Sequence, residues 1–311
     1  LTTDKAQLRT AYVKMHIAIF LWGFTGLLGK LIDLNEGLLV WYRLLISSVA
    51  IAIILLYGKG FPQLKRREFW KISGVGILVM LHWVTFYGSI KLASISIAMI
   101  CLSTIALFAS IIEPLVNRRR FDYVEIVFSA LAVVGISQIY FSDVTASSGI
   151  IVGVISAFIS AVFSVFNKRL TAHHAPLTIS LVELLSGLVF LTLLMPVYLT
   201  IQPTTKFIPG ISDLVYLLIL SLACTVFTWT ISLQALRKVS AFTMGLALNL
   251  EPIYGIGLAV LFAGEGNLIN FDFIIGALTI LVTVVLHTLY KFAKIYRSEK
   301  KYRSENNVPL P

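Results

Sequence analysis

Charge is scarce in this chain. Of 311 residues 13% are charged and 58% hydrophobic, and the mean hydropathy is +0.91. A water-soluble globular domain carries about a quarter charged residues, so that class is excluded. Cysteine is scarcer still, with Cys101 and Cys224 alone. Both fall inside apolar stretches without metal-ligating company, so neither a disulfide framework nor a thiolate metal site is expected, and each reads as a small packing residue. The sequence has no His-Glu-x-x-His, no close pair of intramembrane aspartates and no serine nucleophile at a recognisable spacing from a histidine, which argues against an intramembrane enzyme. It also has no Gly-x-x-x-x-Gly-Lys-[Ser/Thr] loop, and its polar loops are too short to fold a nucleotide domain. No cofactor and no metal are expected. Residues Leu1 to Thr10 are polar and lack the charged, apolar and cleavage regions of a removable signal peptide.

Long apolar runs are what the chain has instead. Crossing about 30 Å of hydrocarbon takes about 20 helical residues, with every amide bonded inside its own helix. Ten stretches reach that length: Tyr12 to Leu31, Leu38 to Tyr57, Trp70 to Ile90, Ala93 to Val116, Phe121 to Phe141, Ser148 to Phe166, Pro176 to Leu199, Ile211 to Ala235, Val239 to Ala263 and Phe271 to Phe292. The expected fold is an all-α membrane protein of ten transmembrane helices, with the lipid bilayer as its surroundings. The net charge of +10 does not point to nucleic acid, because the 25 basic residues form no domain that could bind it. They sort by loop. With the N-terminus in the cytoplasm, 21 of them lie on inner segments, leaving Lys30, Arg43, Lys91 and Lys206 at the other side or in the membrane. Both termini are therefore expected in the cytoplasm, with a basic tail over residues 294–311 beside anionic lipid.

The chain also repeats itself. Phe121, Asp122, Tyr123 and Tyr140 recur as Phe271, Asp272, Phe273 and Tyr290. Lys30 matches Lys168 at a separation of 138, Arg43 matches Glu183 at 140, and Trp83, Lys91 and Ser94 match Trp229, Arg237 and Ser240 at 146. The separation rises only between helix pairs, where loops tolerate insertion. Two five-helix units follow, over residues 11–141 and 148–293. Five is odd, so the second unit enters the membrane from the opposite side, and an inverted pair supplies two gates around one central site. Arg43 and Glu183 then lie in opposite leaflets and are not expected to pair.

The ten-helix, two-copy layout, Leu21 to Phe24 (Leu-Trp-Gly-Phe), Tyr42 to Leu45 (Tyr-Arg-Leu-Leu), Leu250 to Tyr254 (Leu-Glu-Pro-Ile-Tyr) and Ala263 to Glu265 (Ala-Gly-Glu) together resemble the drug/metabolite transporter superfamily, EamA type. The resemblance covers nearly the whole chain. It implies a 5+5 inverted-repeat carrier in the plasma membrane, a bacterial inner membrane, with helices one, three, four, six, eight and nine around a cavity and helices five and ten at the periphery. This chain departs from the pattern at Ala106, where the first copy usually has proline, while the second copy keeps Pro252. The usual reason for a first-copy kink is thereby missing.

Polar groups at membrane depth are costly and so are functional candidates, each weighed against helix packing. Glu251 and Asn249 flank mid-helix nine, where Pro252 leaves the carbonyl of Leu248 without an amide. They either receive an ammonium group or a proton, or form a structural kink. His82 shares a helix face with Phe86, and Trp83 shares the next with Tyr87. His82 either meets ligand and relays a proton or bonds a neighbouring helix. Trp22, Trp83 and Trp229 lie too deep for interfacial belts, and either box a planar or cationic ligand or pack the core. Ser156, Ser160 and Ser164 form a stripe with Asn167, read as packing with Ser160 and Asn167 the exceptions that reach the path. Ser103 and Thr104 either line it or bond back to their own helix. Gly23, Gly26 and Gly29 suit a close-contact seam, Glu113 a helix-end contact with nearby arginines, and Thr279, Thr283 and His287 a helix contact or homodimer face. The leading expectation is a secondary carrier, an exporter of small metabolites such as amino acids or related amines, with protons as a candidate partner. A channel or accessory subunit is the alternative.

Overall fold

The computed structural model describes residues 2–58, 63–118, 123–142, 146–171, 173–236 and 250–305, and among them there is no strand. Expectations placed on Phe121, Asp122, Arg237, Ser240 and Asn249 fall outside these residues. The helices are α1 (Thr2–Leu31), α2 (Glu36–Tyr57), α3 (Arg66–Leu92), α4 (Ile95–Ser103), α5 (Ile105–Asn117), α6 (Tyr123–Ser142), α7 (Ser147–Thr171), α8 (Pro176–Ile201), α9 (Ile211–Leu218), α10 (Thr228–Leu236), α11 (Glu251–Phe262) and α12 (Phe271–Glu305). Between α9 and α10 the chain continues without a break as a π-helix, Ile219–Phe227.

Six helical stretches are long and apolar enough to cross a bilayer, and a seventh is obtained by counting the bent pair α4 and α5 as one broken span. Their outward faces carry apolar side chains such as Ile53, Ile155 and Leu193, which suits lipid and not water. α12 runs through the basic segment as far as Glu305, so the positive charges of residues 294–305 ride on a helix.

Two expectations about helix shape are corrected. The fourth apolar stretch is not one helix: it breaks at Thr104, with a bend of 41° between its halves. A proline is not needed for this. Ser103 Oγ and Thr104 Oγ1 donate to the carbonyls of Ile100 and Cys101, each at 2.6 Å, and the Thr104 amide turns to Cys101 at 3.1 Å. Hydroxyls that bond carbonyls three residues back compete with the regular ladder and bend it. The eighth stretch is likewise not a plain α-helix, since its middle is π-helical, a geometry frequent at functional sites.

The principal core joins α1, α2, α3, α4 and α8 with the π-helix, around Leu39, Leu44, Met80, Tyr87, Met99 and Leu220. A second core joins α4, α6, α7 and α12 around Ile100, Ile139, Ile150 and Ile280. The pair α6 and α12 packs together so closely that a Cβ on Gly135 would stand 2.9 Å from the carbonyl oxygen of Gly276.

Charged contacts collect at two ends of the bundle. At one, Lys206 bonds Asp33 and Asp213, each at 2.8 Å, and these carboxylates hold its ammonium above the ordinary lysine value. At the other, Lys71 and His174 meet Glu68, and Lys168 meets Glu113 at 3.2 Å. Glu113 does lie near the end of α5, but its partner among the described residues is Lys168 of α7, where nearby arginines were expected.

Candidate functional site

The glycines of α1 open space for side chains of other helices. A Cβ on Gly26 would come within 2.8 Å of Ile95 and Met99, and one on Gly23 within 2.8 Å of the Tyr254 Cβ. A Cβ on Gly29 would overlap the ring of Tyr87. The seam expected on α1 is thus real, and its last glycine lets Tyr87 lie fully buried against the helix backbone.

Tyr87 in turn holds Arg43. The guanidinium is 4% exposed, donates from Nη1 to the Tyr87 hydroxyl at 2.8 Å and from Nε to Thr225 Oγ1 at 3.0 Å, and lies 3.8 Å above the Trp83 ring centroid. Thr225 passes its own proton to the carbonyl of Leu220 at 2.9 Å, five residues back, the spacing of a π-turn. Ser47 and Ser221 link the same two elements through backbone carbonyls. The π-helix is therefore stitched to α2 around Arg43. Desolvated stacking of a guanidinium on indole is worth about 2 kcal/mol, far less than a bare buried charge costs.

Glu251, at the start of α11, lies within electrostatic range of Arg43, as do His82 and Cys224. Neither Arg43 nor Glu251 makes an ion pair among the described residues. The described arrangement is a cation with an indole and a phenol beside it and a carboxyl group in its field. Arg43 and Thr225 were not singled out from sequence as binding residues. The signal available was a lone arginine in an otherwise apolar helix.

The other candidates separate. His82 is buried, with Nδ1 3.0 Å from the Ser156 carbonyl and 2.8 Å from Ser156 Oγ, while that hydroxyl donates to the His82 carbonyl at 2.9 Å. Phe86 stacks on the same ring and Phe163 flanks it. His82 is thus bonded to a neighbouring helix, the plainer of its two readings. Ser103 spends its proton on its own helix. Ser160 is buried on α7 one turn beyond Ser156, whereas Ser164 faces outward. Trp22 packs with Leu250 and Tyr254 on the α1–α11 seam, and Trp229 is half-buried on α10 one turn past Thr225. Among the described residues none of the three tryptophans stacks on another, because each belongs to a different seam. Asn167 lies against Glu183 of α8. On α12, Thr279 and Thr283 bond back to their own helix, and His287 packs edge-on against Phe128 of α6, a helix contact.

Two of the motifs meet in space. Tyr254 of Leu-Glu-Pro-Ile-Tyr sits on Gly23 of Leu-Trp-Gly-Phe. Glu265, the end of Ala-Gly-Glu, is buried and accepts from the Ile95 amide at 2.8 Å and from Ser96 N and Oγ at 2.9 and 2.8 Å, capping α4 from the other half of the chain.

Comparison with known proteins agrees with this architecture. A solved crystal structure, described only as that of a protein, superposes with a TM-score of 0.60 at 16% identity, over 90% of this chain and 98% of the other. An uncharacterized transporter of Archaeoglobus fulgidus is 22% identical over 173 residues, which is 54% of this chain and 61% of the relative, so the chain spans about three fifths of that relative's length. The EamA-like transporter family matches twice, over residues 9–141 and 147–289. Two matches that together take in most of a multi-helix apolar chain mean that this membrane protein belongs to the EamA-like transporter family.

Proposed function

We propose that the chain is a secondary carrier that exports small organic metabolites, amino acids or related amines, across the plasma membrane. Ten spans in two inverted five-helix units, with both termini in the cytoplasm, rock around the central site by alternating access. The observation that carries the reading is the buried guanidinium of Arg43 against Trp83 and Tyr87, with Glu251 in its field and no ion-pair contact for either among the described residues. A zwitterion fits such a pair. Its carboxylate meets the guanidinium, whose planar fork matches carboxylate geometry, and its ammonium meets Glu251. Trp83 offers flat apolar surface to the side chain, and Tyr87 offers a hydrogen bond. No nucleotide drives the cycle, so the force comes from substrate or proton gradients.

The test is counterflow in proteoliposomes with labelled leucine, phenylalanine and lysine. Saturable exchange that falls about tenfold or more in Arg43→Ala and Glu251→Gln is expected, on the order of 1.4 kcal/mol or more. Flux that never saturates would favour a channel, and exchange unchanged in both variants would remove these residues from the site.

A further inference from the structure

The chain holds a buried carboxyl group on α8 that the central site does not use. Glu183 on α8 is 2% exposed, and its Oε1 has no hydrogen-bond partner. The backbone beside it is packed shut, because Gly76 of α3 lies directly on the Glu183 main chain, where any Cβ would overlap it. Val79, Val182 and Ile179 form an apolar wall alongside, continuous with Trp83. The Asn167 side chain reaches the carboxyl from α7 with its amide N–H as the donor, which leaves its Oδ1 buried without a partner among the described residues. One oxygen of each side chain, Glu183 Oε1 and Asn167 Oδ1, is thus left without a donor.

The surrounding charges do not supply one. On α3, Lys71 bonds Glu68, which also meets His174; His82 is bonded to Ser156, Tyr87 to Arg43, and Lys91 to the Ile32 carbonyl. On α7, Lys168 bonds Glu113 and Arg169 bonds the Val116 carbonyl. On α2, Glu36 accepts from Tyr198 of α8 itself, and Arg43 is held as described. α10, the remaining helix against α8, brings no charged side chain among the described residues. None of these groups makes an ion pair with Glu183. A metal cation would lack ligands, since no three His, Cys, Asp or Glu side chains converge among the described residues. An ionised carboxylate with an undonated oxygen in such a place costs several kcal/mol, and a proton removes that cost while filling both vacancies.

We propose that Glu183 and Asn167 form a proton-binding site: Glu183 carries a proton on its carboxyl group and, with the Asn167 amide turned over, donates it to Asn167 Oδ1, and loses it to water when the α3–α8 contact opens. Resting on the carrier reading above, this makes Glu183 the coupling residue and leaves Glu251 to the substrate. The site sits across Trp83 from Arg43, so that one aromatic ring touches both the cation and the wall of the proton site.

Infrared spectroscopy of the full chain in lipid at neutral pH tests the proton without any substrate. A protonated-carboxyl C=O band is expected that disappears in Glu183→Gln, persists in Glu251→Gln, and shifts in frequency in Asn167→Leu. A missing band, or one untouched by Glu183→Gln, overturns the proposal and means that Asn167 is turned to donate to an ionised carboxylate. If Glu183→Gln does not fold, a 13C-glutamate label on the wild type followed by Asn167→Leu gives the same decision. Coupling is read in proteoliposomes with leucine, phenylalanine and lysine. Accumulation driven by a pH gradient should fall at least about tenfold in Glu183→Gln while counterflow without a gradient continues, and gradient-driven accumulation that survives overturns the coupling role. Absence of all amino-acid exchange would instead remove the carrier reading, with the infrared result standing by itself.

Discussion

Arg43 shows how a membrane helix can keep a cation without a carboxylate against it. Its two bonded nitrogens and its ring contact draw on α3 and the π-helix, so the charge is dispersed over Tyr87, Thr225 and Trp83. Lysine has no planar fork and stacks poorly. Arg43→Lys is therefore expected to retain the fold but to raise the KM for exchange about tenfold, on the order of 1.4 kcal/mol, while Thr225→Val, which frees only Nε, raises it less. His82 calls for the opposite outcome. Its bonds with Ser156 are internal, so Ser156→Ala should lower thermal stability by about 1 kcal/mol and leave substrate preference unchanged in a thermal-shift screen over amino acids. A changed preference would return His82 to the binding site.

At the scale of helices, much of what matters is where a regular pattern fails. Faces within one helix were legible from period alone: His82 with Phe86, and Trp83 with Tyr87, separate onto two faces as the spacing requires. The partners of those faces were not legible, because Thr225 reaches Arg43 from 182 residues away and no local pattern announces a π-turn. The bend at Thr104 has a local cause in two adjacent hydroxyls and comes without the proline that would announce it. The Ala-Gly-Glu motif marked the family while hiding its role, since its glutamate caps a helix of the other repeat. Glu265→Ala leaves the Ile95 and Ser96 amides buried without an acceptor, each such group costing about 1–3 kcal/mol. Its melting temperature is expected to fall well below that of Glu265→Gln, whose amide oxygen still accepts. Gly29→Ala is expected to displace Tyr87 and to weaken exchange as Arg43→Lys does, through the packing of Tyr87 alone.

For the molecule as a whole, the sorting of loops by charge and the sorting of contacts by end point the same way. Lys206, Asp33 and Asp213 gather at the end that the basic residues avoid, whereas Lys71, Lys168, Glu68 and Glu113 gather at the end they prefer. Loop charge was readable because orientation bias acts on sequence directly, and the ion pairs follow because loops at one end can only meet each other. Orientation itself is testable with little background, since both native cysteines are buried. Thr205→Cys, exposed beside Lys206, should react with a membrane-impermeant maleimide on intact cells. Lys168→Cys, at a side chain 65% exposed, should react only after permeabilisation. The reverse pattern would turn the chain over, place the proton site of Glu183 in the outer leaflet instead of the inner one, and require that an inward proton gradient reach it before Arg43 meets substrate.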